Sequence, residues 1–215
     1  MADVDVGTIV PSTRDLLQAV STRRRNLALI GLLAAPGHDG GEGVAAEAAR
    51  LADLNVSAFA TVEPGPVLSL AARATKTVPA LCLLAAADRD ALLAARQHGA
   101  DGVVIDAAMP LDAWDRLAKV ARTMRMLPIA LATDASSLEA AIKAGARAIL
   151  LRAGTADALL ALAAGAPRGV TLIGHVEGGD ADSIRALAGK VDAAVVAPSL
   201  HTAPSFAELV AEVDP

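Results

Sequence analysis

The 215-residue chain has no tyrosine, one tryptophan and two phenylalanines, so aromatics make up 1% of a sequence that is 54% hydrophobic. A core with so few rings must be built mainly from Ala, Leu, Val and Ile. Alanine buries little area, and burial is worth ~25 cal/mol per Å², so stability has to come from many small contacts and regular helices. A single cysteine, Cys82, excludes an internal disulfide and any requirement for an oxidising compartment. The N-terminal stretch carries Asp3 and Asp5 and no long apolar run, which argues against a signal peptide or membrane span; a cytoplasmic location is expected. Net charge is −5. The one basic cluster, Arg23-Arg24-Arg25, lacks the interleaved aromatics and the spread of a nucleic-acid surface and suits the negative end of a helix instead.

What the chain does have is a repeated unit. After a lead-in and a helix expected from a Ser12 or Thr13 cap to Val20, short aliphatic runs alternate with helical stretches, and residues 1–26 read as an appendage to a body spanning 27–215. The runs begin near residues 27, 56, 79, 102, 127, 148, 170 and 193, a spacing that suits one strand and one helix each. They are continuously apolar rather than alternating, as in a parallel sheet covered on both faces. Eight such units predict a single α/β domain, a (β/α)8 TIM barrel with an extra N-terminal helix. No Gly-x-Gly-x-x-Gly follows the first run, which argues against a dinucleotide-binding sheet.

The stretch Gly169 to Ile184 joins structure to chemistry. An aliphatic strand ends in His175 and Glu177, Gly178 and Gly179 make a turn, and Asp180 or Asp182 caps the next helix. Polar residues leaving the carboxyl end of a barrel strand stand at the functional face.

Several pieces then resemble indole-3-glycerol-phosphate synthase, a tryptophan-pathway barrel. They are Ala34-Ala35-Pro36, Ala58 to Thr61, Val78 to Cys82, Gly99 to Asp106 and Leu138 to Ala146, in matching order over nearly the whole chain. The resemblance implies a Glu and a Lys on strand 1, a Lys after Cys82, a Glu on strand 5 and an Asn on strand 6. Here those positions hold Ile30 and Leu32, Leu83, Leu131, and Leu150 or Leu151, with Arg152 keeping the arginine that follows. Aliphatic side chains transfer no protons. The resemblance also implies a phosphate site after strands 7 and 8, for which Gly178, Gly179 and Ser199 remain, although Pro198 has no N–H to give.

Two further sets of residues could carry chemistry. His38, His175 and His201 follow strands 1, 7 and 8 and could ligate a divalent metal, or they could be satisfied by neighbouring carboxylates and backbone. Without metal, His175, Glu177 and Asp106 are the candidates for acid–base work. Cys82 reads as a small buried hydrophobe, and the absence of a strand lysine argues against Schiff-base chemistry. The function expected is that of a catalytically degenerate barrel, a pseudoenzyme binding a small molecule, phosphorylated or not, or serving as a partner subunit. The alternatives are an active lyase, isomerase or hydrolase with a replaced His/carboxylate site, and an assembly or oligomeric protein using its alanine-rich helical exterior.

Overall fold

The computed structural model describes residues 9–21, 26–34 and 42–213. His38, Asp39 and Arg23 to Arg25 lie outside the described residues, so their expected roles do too. Eight parallel strands close into a barrel in chain order: β1 (Ala28–Leu32), β2 (Ala58–Thr61), β3 (Ala80–Cys82), β4 (Gly102–Asp106), β5 (Leu127–Ala132), β6 (Ala148–Ala153), β7 (Thr171–Val176) and β8 (Ala193–Val196), with β8 pairing back to β1. Before β1 comes α1 (Leu16–Val20). The helices between strands are α2 (Glu42–Asp53), α3 (Pro66–Ala74), α4 (Arg89–Gln97), α5 (Leu111–Thr123), α6 (Ala135–Lys143), α7 (Ala156–Ala163) and α8 (Ala181–Leu187). After β8 follow a four-residue helix that the sequence did not announce, α9 (Pro198–His201), and α10 (Phe206–Val213). Among the described residues no helix is long and apolar enough to cross a membrane.

Successive residues of a strand face opposite sides, and the closed sheet sorts them into two buried clusters. Leu29, Phe59, Val103 and Leu151 face outward into the helical ring, whereas Ile30, Leu81, Val104, Ile129, Leu150 and Ile173 fill the barrel interior. The opening strand residues Ala28, Ala58, Gly102, Ala148 and Ala193 are all small, so strand side chains alone leave the bottom of the barrel underfilled. Helix α1 fills it: Leu16 and Val20 are buried in the interior cluster. A Cβ on Gly102 would collide with Leu16 Cδ2. The appendage expected from the sequence thus closes the barrel floor.

The cap of α1 is Asp15, whose carboxylate accepts the Gln18 N–H, rather than Ser12 or Thr13. Ser12 is drawn away because its hydroxyl donates to Asp101 Oδ1 at 2.5 Å. Asp101, immediately before β4, anchors this whole end. Its carboxylate meets Arg14 Nε at 2.7 Å and Arg96 Nη1 at 3.1 Å, accepts the Ala80 N–H at 2.8 Å, and is fully buried. Arg14 also donates to the carbonyls of Ala72, Val78 and Gly99. Helix stops behave as expected at Gly99 and Gly145, whose φ values of 102° and 65° suit glycine at a left-handed C′ position.

Candidate functional site

The carboxyl ends of the strands form the mouth. Continuing the inward rows of β1, β3 and β5 brings Leu32, Leu83 and Leu131 against the interior cluster, and the inward row of β6 places Leu150 one layer below. Leu151 faces the helices instead, so of the two strand 6 candidates Leu150 is the inward one. Every position where the resemblance calls for a proton-transferring group therefore carries an inward aliphatic side chain.

Arg152 and His175 are the polar exceptions. They are paired across the β6–β7 ladder, which puts them side by side on the inward face at the rim. Arg152 Nη2 crosses the mouth and donates to the Leu83 carbonyl at 3.3 Å. Both Arg152 Nε and His175 Nδ1 are buried without a hydrogen-bond partner among the described residues, an arrangement that costs free energy unless something else satisfies those atoms. Burial first, and the neighbouring Arg152 charge second, lower the His175 pKa; Glu177 opposes them. His175 is accordingly a neutral imidazole at neutral pH, able to accept through one nitrogen and donate through the other.

The remaining candidates are placed differently. Asp106 is exposed at the end of β4, and its carboxylate accepts the Ala108 N–H at 2.9 Å, anchoring the following turn. Glu177 is exposed, and the Gly179 N–H is already donated to the Val176 carbonyl at 3.1 Å. Of the expected phosphate set, Gly178 is exposed in the turn after β7 and Ser199 is exposed on α9 behind Pro198. Asp180 caps α8 and Asp134 caps α6.

His201 does not reach the mouth. At the end of α9 it is buried, with Nε2 2.7 Å from the Leu32 carbonyl and Nδ1 2.8 Å from Glu47 Oε1, and its ring meets Phe206 edge to face. Arg50 completes this clasp by binding Glu47 and the His201 carbonyl. Sequence reasoning missed it because the partners come from distant helices. Among the described residues no group of three or more His, Cys, Asp or Glu is arranged to hold a metal ion, and the His201 ring is held between the Leu32 carbonyl, Glu47 and Phe206.

At the carboxyl ends of β1 and β2 lies an apolar groove of about 520 Å³, lined by Leu32, Val62, Pro64, Pro66 and Pro198 together with Thr61 and Glu63. The mouth thus combines an aliphatic wall with two unsatisfied nitrogen atoms. The chain matches no protein-family model and no curated protein sequence. Its fold is that of a TIM barrel, closed at the floor by its N-terminal helix.

Proposed function

We propose that this chain is a catalytically degenerate barrel of the indole-3-glycerol-phosphate-synthase type that binds a small organic acid at its mouth. The observation that carries the reading is the pair of buried, unpartnered nitrogens on Arg152 and His175 beside an aliphatic wall. A carboxylate or phosphate accepts from the Arg152 guanidinium in a charge-assisted bond and from a His175 N–H, while the apolar body of the ligand covers Leu32, Leu83 and Leu131. Such a site binds without converting, because Ile30, Leu32, Leu83, Leu131 and Leu150 offer no acid or base.

A second reading, an active enzyme using His175 as its base, is favoured by one feature: a neutral imidazole at the mouth can take a proton. Two experiments separate the readings. The purified chain is assayed with the carboxyphenylamino-deoxyribulose phosphate substrate of the synthase, and no indole-glycerol phosphate is expected; measurable product overturns the degenerate reading. Melting temperature is then measured against aromatic carboxylic acids and sugar phosphates. Stabilisation that Arg152→Gln and His175→Ala both abolish is expected, and its absence across the set removes the binding reading.

A further inference from the structure

The opposite end of the barrel carries a second concentration of charge that the mouth does not use. Arg122 and Arg125, at the exit from α5, and Arg147, in the turn into β6, line one groove of about 450 Å³ together with Thr13 and Asp15. All three arginines are exposed, and none of their side chains has an ion-pair or hydrogen-bond partner among the described residues. Behind them the buried Asp101 divides one negative charge between two partly buried guanidinium groups, Arg14 and Arg96, so the network itself leaves a positive excess. Among the described residues Asp15 is the only other carboxylate in the lining, and it accepts the Gln18 N–H as the cap of α1. A chain of net charge −5 thus sets three exposed arginines along one groove at this end of its barrel, an arrangement that attracts anions.

Helix geometry accounts for Arg122 alone. The dipole of α5 favours Arg122 in its last turn, but Arg125 sits at φ 54°, in the left-handed C′ position that Gly99 and Gly145 occupy in neighbouring units. A side chain there is held against the local preference. Arg147 stands immediately before β6, where the units of β4 and β8 carry Asp101 and Asp192. Those two carboxylates accept the Ala80 and Leu172 N–H groups, a role that a guanidinium cannot fill because it has no acceptor.

We infer that this groove is a binding site for a small ligand carrying a diphosphate group. Guanidinium forks match pairs of phosphate oxygens, and three of them exceed what a single carboxylate can use. The volume lies in the range of small-molecule sites, roughly 300–1,000 Å³, and is too small for a folded partner.

The test is calorimetric titration of the full chain with inorganic pyrophosphate at low ionic strength. Saturable binding is expected. The double variant Arg125→Gly/Arg147→Gln should weaken it by about 100-fold, roughly tenfold for each charge-assisted hydrogen bond removed. Both side chains are exposed and glycine suits φ at position 125, so the variant should melt no lower than the parent; Arg147→Lys, which keeps the charge, should recover part of the affinity. Arg152→Gln, at the mouth, should leave intact the pyrophosphate binding that the double variant removes, which separates this site from the acid site proposed above. No binding, binding indifferent to the double variant, or binding lost in Arg152→Gln would each overturn the inference. A glutamate oligomer that binds through the same arginines while pyrophosphate does not would also overturn it, in favour of an acidic protein segment.

Discussion

Leu16 occupies the space that a side chain on Gly102 would fill. The helix before the barrel and the fourth strand are thereby made to measure for each other. Leu16→Ala should cost about 2–5 kcal/mol, the range for a buried leucine truncated to alanine. Gly102→Ala should destabilise the parent protein and do less harm in the Leu16→Ala background. Denaturant unfolding of the four proteins in this cycle gives the coupling directly; additive losses would mean that α1 does not close the floor.

Asp101 holds two guanidinium groups, a serine hydroxyl and a strand amide at once. Removing it by Asp101→Ala leaves buried positive charge uncompensated, and the expected loss is about 3–5 kcal/mol. Asp112, paired with Arg116 on the exposed face of α5, is the control: Asp112→Ala should leave the urea midpoint where it was.

The direction of the His175 shift sets a pH dependence. Its pKa is lowered in the folded state, so on acidification the unfolded chain takes up the proton first, at about pH 6.5, while the folded chain resists. Stability should therefore fall as pH drops through that region, and above it the residue should contribute nothing, because both states are neutral. His175→Gln should flatten this acid-side decline in unfolding free energy measured between about pH 7.5 and about pH 5. An acid bound at Arg152 stabilises the protonated ring, so ligand affinity should rise over the same descent.

Burial pushes the Cys82 thiol up to about 11. Since the thiolate is the reactive form, native protein should fail to react with a thiol reagent at mildly alkaline pH and should release one equivalent once unfolded. Rapid reaction of the native state would place Cys82 at an open surface instead.

The barrel was readable because each unit writes the same short text. Every expected strand start lies within two residues of the observed one, since continuous aliphatic runs are bounded by glycine stops. The third strand begins at Ala80 rather than Pro79 because proline has no N–H; its carbonyl instead accepts from Phe59 N. The function of α1 was harder to see, because a row of alanines and one glycine at five strand starts looks like composition until the strands are set in a ring.

The site was only half legible. Arg152 and His175 could be placed on strand ends by local pattern, and the ladder brings them together. A position after strand 8 groups His201 with His175 in the sequence, but α9 turns it under the surface toward Glu47. Nothing local to residues 198–201 signals a partner on α2. The same limit hid the Asp101 network, whose members Ser12, Arg14 and Arg96 converge only after the barrel has closed.

Arg152 reaches across from β6 to the Leu83 carbonyl at the end of β3, so the mouth is bridged by the protein's own bond. An incoming molecule that draws on Nη2 must outcompete a peptide carbonyl for it. A neutral ligand offers only a like-for-like exchange, whereas an anion gains the difference between a neutral and a charged acceptor. The strap across the mouth thus acts as a chemical filter, raising selectivity for acids by making the guanidinium less hungry for everything else.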